Sequence, residues 1–204
     1  PLRPQPDPER PQRGVREAHH LPPEVVDGEG QGELTEDREN RFVRGVEAAL
    51  RAARGELPDG VGWRIEMHNQ IPLARGLGSS AAATVGGLLA GNALLGDPLP
   101  STELLQLATE IEGHPDNAAA VMLGGFVVSA ATDDGVESIR FDAPRDLRAV
   151  LFVPDLRLAT GAMRDALPET VPFEDAAANL AAVAIGVAGL AKGRFDLLGR
   201  LTVD

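Results

Sequence analysis

The distribution of apolar residues along the chain predicts an α+β fold. Apolar and polar residues alternate over 61–67, which is the pattern of a half-buried strand. Small and apolar residues recur at helical spacing over 79–95 and again over 101–112. The short apolar runs at 126–130 and 150–153 have the length and composition of further strands. This mixture of helices and strands places the chain in the α+β class.

The elements fall into three segments. Residues 1–23 are rich in proline, interleaved with arginine and glutamine, and we expect a disordered tail that forms no core. Residues 24–144 are expected to form a first domain, and 145–204 the beginning of a second. In the first domain a helix from about residue 38 to 54 has an apolar stripe, which we expect to pack on the sheet that contains the strand at 61–67.

Further elements follow in the same way. A short strand is expected at 25–26, and the strand at 126–130 returns through a turn as 136–141. The run at 150–153 is apolar throughout, so we expect it to be buried on both faces. A short helix at 161–167 and a packed helix at 175–190 complete the prediction, with another helix beginning near 195.

The composition limits the partners of the protein. Its net charge of −12 disfavours binding to nucleic acid or to an anionic membrane. The absence of cysteine excludes a disulfide scaffold and a thiolate metal site. The sequence shows no signal peptide and no uninterrupted apolar run of about 18 residues. We therefore expect a soluble, cytoplasmic protein with no nucleic-acid partner and no membrane partner.

The stretch between the strand at 61–67 and the helix at 79–95 has the features of an anion site. Pro72 ends the strand, because it cannot donate a hydrogen bond to a ladder. Gly76 and Gly78 allow a sharp turn and a close approach of the backbone to a ligand. Ser79 and Ser80 fall where the helix begins, with its unpaired N–H groups and its partial positive charge. The pattern predicts a phosphate site.

Three known phosphate loops compare with this stretch. The loop of the common nucleotide hydrolases ends in Gly-Lys-Ser/Thr, and no lysine occurs here. Residues 76–81 also read G-x-G-x-x-A, but Asp97 lies in a Gly-Asp-Pro turn and not at the end of an apolar strand, as a dinucleotide site requires. Residues 72–82 resemble, much more specifically, the ATP-binding loop of the galactokinase, homoserine kinase and mevalonate kinase (GHMP) superfamily. That resemblance implies nucleotide binding by Pro72, Leu73, Ala74, Arg75, Gly76, Leu77, Gly78, Ser79, Ser80, Ala81 and Ala82.

A second segment narrows the resemblance. Residues 110–117, with Gly124-Gly125-Phe126 after them, look like homoserine kinase specifically. Co-chaperone J domains also carry His-Pro-Asp, but they precede it with a basic helix, whereas 103–112 contains no lysine or arginine. The resemblance implies the GHMP-kinase fold, with a ribosomal-protein-S5-domain-2-like N-terminal domain followed by the start of a ferredoxin-like C-terminal domain.

The resemblance also implies an activity. Homoserine kinases transfer the γ-phosphate of ATP to the side-chain hydroxyl of L-homoserine in threonine biosynthesis, with ATP and Mg²⁺ as cofactors. Ser80 is expected to reach the metal together with a carboxylate, for which Glu110 is the first choice and Glu112 the second. Ser80, Asp116 and Asn117 are the expected catalytic residues. Asp116 holds the position of the base in related mevalonate kinases, while in homoserine kinases it can instead orient the substrate.

The resemblance places the substrate on a set of polar side chains. They are His114, Asp116, Asn117, Thr160 and Arg164. The guanidinium of Arg164 suits bidentate pairing with the homoserine carboxylate. His114 stands before a proline, and two roles stay open for it, contact with the substrate and capping of the helix end.

Two segments of the family are absent from the chain. One is an N-terminal segment like Pro-x-x-x-x-Asn-Leu-Gly-Pro-Gly-Phe-Asp, and the other is a glycine-rich C-terminal signature. The chain is therefore expected to be the middle of a homoserine kinase, truncated at both ends and inactive alone. Two alternatives remain: a mevalonate-type GHMP kinase, which residues 112–117 disfavour, and a silent domain that binds a nucleotide or a protein partner. A homodimer is left open.

Overall fold

The computed structural model describes residues 24–34, 37–55, 64–142, 147–153, 155, 163 and 166–197. These residues form four strands, five α-helices and one 3₁₀ turn: β1 (Glu24–Gly28), α1 (Arg41–Arg54), β2 (Glu66–Asn69), α2 (Ser79–Leu94), α3 (Ser101–Glu112), α4 (Asp116–Leu123), β3 (Phe126–Thr132), β4 (Gly135–Phe141), α5 (Phe173–Ala191) and the 3₁₀ turn Phe195–Leu197. The predicted tail at 1–23 lies outside the described residues. The division into domains at 144 and 145 stays a prediction.

Helix α1 packs closely against α2. The expectation that it lies on the sheet stays a prediction, because residues 61–63 of that strand lie outside the described residues. Its start is set by Asn40, whose side-chain oxygen accepts a hydrogen bond from the amide of Phe42 at 3.0 Å. A Cβ atom on Gly45 would lie 2.3 Å from the carbonyl oxygen of Thr84, and one on Gly87 would lie 2.0 Å from that of Phe42. The two backbones come this close because glycine stands at both contact points.

The core lies where α2 crosses α3 and α4. Its buried side chains are small or aliphatic: Ala49, Val85, Leu88, Leu99, Leu104, Leu105, Ala108, Ala118 and Ala119. This agrees with a composition in which only 3% of the residues are aromatic. The turn from α2 to α3 is held by the buried amide of Asn92, which accepts from Leu99 N at 3.0 Å and donates to Leu99 O at 3.1 Å. These contacts keep α2 and α3 side by side along the site described below.

The described strands form two separate pairs. β1 and β2 are parallel, with Val25 opposite Met67 and a shift of register before Asp27. β2 lies later than the predicted strand and runs up to the glycine loop, while residues 61–63 lie outside the described residues. β3 and β4 form an antiparallel hairpin, as expected from the pattern of 126–141. β2 of the parallel pair therefore leads into the loop at 72–78.

Helix α4 was not expected from the sequence. We assigned no secondary structure to the residues after Gly113, but a helix begins at Asp116 and includes the alanines 118–120. Gly113 ends α3 with a φ of 82°, which turns the chain back toward α2. The segment with the family resemblance is therefore the junction of two helices, and its polar residues are held by both.

Two predictions for the second half of the chain are wrong. Residues 147–153 are described without regular structure, and Phe152 is 92% exposed instead of buried on both faces. In α5 only Gly189 and Leu190 are buried, so this helix is not packed along its length. Among the described residues α5 is the one helix long and apolar enough to cross a membrane, by length and composition alone. A core helix passes the same test, so this is weak grounds for membrane insertion.

Candidate active site

The loop between β2 and α2 is anchored where it leaves the strand. The Asn69 side chain accepts a hydrogen bond from the amide of Ile71 at 3.0 Å and donates to the carbonyl of Glu29 at 3.0 Å. Ala74 then adopts a φ of 53°, a left-handed conformation that is uncommon for a residue with a Cβ atom. Asn69 thus fixes the loop on β1 and β2, and sequence reasoning missed it. An asparagine at a strand end, three residues before a proline, was the available signal.

The start of α2 has free donors directed at a cleft. Gly78 precedes the helix in the left-handed conformation, with φ 75° and ψ 19°, and no side chain caps the helix. The first intrahelical bond is donated by the amide of Ala82 to Gly78 O at 2.9 Å, so the amides of the first turn before it have no intrahelical acceptor. The cleft of about 420 Å³ in front of them is lined by loop residues and by Arg41, Glu112, His114 and Asn117. This is the geometry of an anion site.

An unpaired cation lies in the same loop. Arg75 lines the cleft, and its Nη1 atom is buried without a hydrogen-bond partner in the structure as described. A buried donor of this kind is costly unless a ligand satisfies it. The orphaned guanidinium nitrogen is therefore an independent indication that a negatively charged group binds here.

Glu112 faces the start of α2, and Glu110 does not. The Ser80 hydroxyl donates to both carboxylate oxygens of Glu112, at 2.9 and 3.1 Å, and Thr84 Oγ1 donates to Oε1 at 2.6 Å. The Glu112 side chain is only 7% exposed. Glu110 is exposed, accepts from Gln106 at 3.1 Å and does not line the cleft. The geometry therefore favours Glu112, our second choice for a metal carboxylate, over Glu110, because α3 packs against α2 with Glu112 turned toward the cleft. The metal ligand itself stays a prediction.

A magnesium ion fits these donors in chemical type. Carboxylate and hydroxyl oxygens are the ligands that a hard cation prefers, and Mg²⁺ commonly takes one or two protein groups with phosphates and water. The described residues hold no group of three or more acidic, histidine or cysteine side chains suited to a metal. A metal at Glu112 and Ser80 would therefore need phosphate oxygens to complete its coordination.

The polar residues at the start of α4 share the cleft in part. His114 and Asn117 line it, and a Cβ atom on Gly78 would lie 3.8 Å from Asn117 Oδ1. Asp116 has a side chain that is 66% exposed; its Oδ1 contacts His114 Nδ1 and accepts from the amide of Asn117 at 2.6 Å. Ser80, His114 and Asn117 thus line one cleft, whereas Asp116 lies beside it and lines neither of the clefts described here. Thr160 and Arg164 lie outside the described residues.

Two side chains that contact Glu112 were missed by the sequence analysis. Thr84 is fully buried and lies one helical turn after Ser80, so the i and i+4 spacing of two hydroxyls was a usable signal. Arg41 comes from the start of α1; its Nη1 donates to Ile111 O at 2.9 Å and lies 3.7 Å from Glu112 Oε1. No local pattern connects Arg41 to residues so distant in sequence.

A second, larger cleft adjoins the first. It measures about 720 Å³ and is lined by β2, the loop and the start of α1. Its apolar wall includes Phe42, Met67, Ile71 and Leu73. Arg41, Ala74, Ser79 and Ser80 line both clefts, so the two are continuous at the start of α2. An apolar space that opens beside an anion site can take a ligand with a flat apolar body and a charged tail.

This arrangement corresponds to a known class of protein. Residues 40–125 match the sequence model of the GHMP kinases N terminal domain. The described helices and strands also superpose on solved kinases of this class: a homoserine kinase from Cytophaga hutchinsonii is 29% identical, with a TM-score of 0.71, over 91% of this chain and 60% of that one. Residues 40–125 are therefore similar to the N-terminal domain of the GHMP kinases, and the GHMP-kinase fold expected from the resemblance is confirmed.

Homoserine kinases are among the relatives within that class. The homoserine kinase of Moorella thermoacetica is 45% identical over 180 residues, which cover 88% of this chain and 60% of the relative. That of Corynebacterium efficiens is 42% identical over 186 residues, covering 88% of this chain and 59% of the relative. The chain spans about 60% of the length of these curated relatives.

Proposed function

We propose that this chain carries the nucleotide site and part of the acceptor site of a homoserine kinase, which transfers the γ-phosphate of ATP to the side-chain hydroxyl of L-homoserine. The observation that carries the proposal is the single cleft shared by the start of α2, Glu112, His114 and Asn117. The names of the relatives support the choice of homoserine over another acceptor alcohol.

The nucleotide is assigned to the two continuous clefts. The phosphates would lie in the smaller one, where the first amides of α2 and Arg75 supply donors. The nucleoside would lie in the larger one, against Phe42 and Met67. The loop would then hold the triphosphate in place, so that the reacting phosphorus meets the acceptor in one orientation.

The metal is assigned to Glu112 and Ser80. When bound, Mg²⁺ would neutralise charge on the phosphates and favour the departure of ADP. Thr84 and Ser80 donate to the Glu112 carboxylate, and these hydroxyl groups hold its oxygens toward the cleft. Because the carboxylate is almost fully buried, its orientation is preorganised and costs little to keep.

The acceptor is assigned to the junction of α3 and α4. In the reaction the homoserine oxygen forms a bond to the γ-phosphorus while the bond from that phosphorus to the bridging oxygen of ADP breaks, and the hydroxyl proton is released. His114 and Asn117 would hold the amino acid, and Asp116 would orient its hydroxyl. Because Asp116 is well exposed and already paired with His114, we assign it orientation and not the role of a base. By family resemblance Thr160 and Arg164 would complete this side.

Several broader predictions belong to the same proposal. They are ATP as phosphate donor, a place in threonine biosynthesis, a cytoplasmic location, no nucleic-acid or membrane partner, and the division into domains at 144 and 145. The presence of a homodimer stays open. The test below depends on ATP as the phosphate donor, and it does not depend on the other predictions in this set.

The test measures ADP formation by this chain extended with the two family segments named in the sequence analysis, in the presence of ATP, Mg²⁺ and one acceptor alcohol at a time. Turnover with L-homoserine, little with mevalonate or galactose, and loss of turnover in Glu112→Gln are the expected results. If mevalonate is the one acceptor that supports turnover, the protein would instead be assigned the activity of another kinase of the class. ATP binding without turnover on any acceptor would favour a silent nucleotide-binding domain. A chain that binds no ATP would overturn the proposal.

A further inference from the structure

We propose that Arg41 is a positioning residue that neutralises Glu112 before the metal binds and thereby sets how strongly the site depends on Mg²⁺. The inference depends on the proposed function, because it assigns a role toward the same nucleotide and metal. Arg41 belongs to neither of the two motifs that carry the family resemblance, and its place in the site comes from tertiary structure alone.

The position of the guanidinium is fixed independently of Glu112. Arg41 Nη1 donates to Ile111 O at 2.9 Å, one of the last carbonyls of α3, which have no intrahelical donor. The same nitrogen lies 3.7 Å from Glu112 Oε1, which is too long for a hydrogen bond but close for an ion pair. Because the carbonyl anchors the guanidinium, its charge would stay beside the carboxylate when other groups enter the cleft.

The surroundings make this charge effective. Glu112 is 7% exposed, whereas the Arg41 side chain is 42% exposed and lines both clefts. A carboxylate this buried needs a partner, and the Ser80 and Thr84 hydroxyls that bind it carry no charge. In the free protein Arg41 is therefore the cation that balances Glu112 within the described part of the site.

The positive charge of Arg41 has opposite effects on the binding of ATP and on the binding of Mg²⁺. The guanidinium attracts the triphosphate and offsets its repulsion from Glu112, so it favours ATP binding without metal. It repels a cation that approaches Glu112, so it weakens the additional binding that Mg²⁺ supplies. Removing its charge should therefore weaken metal-free ATP binding and strengthen the coupling between Mg²⁺ and ATP.

A purely structural role predicts something else. The bond from Arg41 to Ile111 O also connects α1 to the end of α3, and losing it could loosen the cleft. A loosened cleft would weaken ATP with and without metal by the same factor. The ratio of the two dissociation constants therefore separates the electrostatic role from the structural one.

The experiment measures ATP binding by calorimetry in EDTA and at saturating Mg²⁺, with no acceptor present, for the wild type, Arg41→Met and Arg41→Lys. Arg54→Met is the matched control, since it removes the same charge from the exposed far end of α1. Thermal unfolding of each variant reports on the loss of the connection between α1 and α3.

In Arg41→Met we expect the ratio of the dissociation constant in EDTA to that in Mg²⁺ to rise about fivefold or more. Arg41→Lys keeps the charge and should stay within about twofold of the wild type, as should Arg54→Met. An unchanged ratio in Arg41→Met, with ATP still bound by the wild type, would overturn the role of Arg41 and leave the kinase proposal intact. A wild type that binds no ATP in either condition would overturn both.

Discussion

The contact between Thr84 and Glu112 gives the sharpest test of the metal assignment. Thr84 is fully buried, and its hydroxyl donates to Glu112 Oε1 at 2.6 Å. Thr84→Val replaces this hydroxyl with a methyl group of nearly the same volume, so the packing of α2 changes little while the carboxylate loses a donor. A hydrogen bond to a charged group contributes about 1.5–3 kcal/mol. The corresponding loss of magnesium affinity is roughly 10- to 100-fold, the range typical of residues that support a metal ligand.

The assay uses the chain extended with the two family segments and follows ADP formation against Mg²⁺ concentration at saturating ATP and homoserine. Thr84→Val should raise the Mg²⁺ requirement by that factor and leave the maximal rate at saturating metal less affected. The matched control is Thr84→Ser, which keeps the hydroxyl and loses one buried methyl group, at a cost of about 1 kcal/mol in unfolding free energy. If Thr84→Val keeps the wild-type Mg²⁺ requirement, or if Thr84→Ser raises it as much, the hydroxyl does not position the metal ligand.

Three further predictions concern the site and the packing that supports it. Glu112→Gln should lower turnover by about 100-fold or more. Glu110→Gln, two residues earlier on α3, should keep turnover within about threefold of the wild type. Equal losses of turnover in the two variants would reject our choice of carboxylate. Gly87→Ala should lower the unfolding free energy by about 3 kcal/mol or prevent folding, because its Cβ would lie 2.0 Å from a backbone carbonyl of α1. The Cβ of Gly86→Ala would lie 3.5 Å from its nearest neighbour, so this control should be neutral or stabilising. Urea titration of both variants measures the difference. Asn92→Ala should cost about 2–3 kcal/mol of unfolding free energy without changing turnover per folded molecule, and a selective loss of turnover would show that the α2–α3 turn acts on the site directly.

The choice between Glu110 and Glu112 shows where sequence reasoning stopped. Both lie in the last turn of α3, and an α-helix advances about 100° per residue, so two positions apart means nearly opposite faces. The sequence places both carboxylates near the glycine loop but does not say which face meets α2. The crossing of the helices decides this, through contacts such as those of Leu104 and Ala108.

The same limit explains the errors in the second half of the chain. An apolar run such as 150–153 predicts burial only if another element covers it, and in the described residues Val150 and Phe152 are exposed. Helix α5 likewise has an apolar composition, from which we expected a packed helix, yet most of its side chains are exposed. The composition of a segment shows whether it could form part of a core, but not whether another element packs against it.

By itself, the sequence determined the features that are local. The strand, the glycine turn and the serines at the start of α2 adjoin one another along the chain. Steric freedom at glycine and unpaired amides at a helix start together predict an anion site there. Only the tertiary structure decided which side chains from elsewhere face that site. Glu112 and Arg41 face it, and Thr84 holds Glu112 from inside the core, because three helices cross at close range. The angle of such a crossing depends on the packing of the whole core.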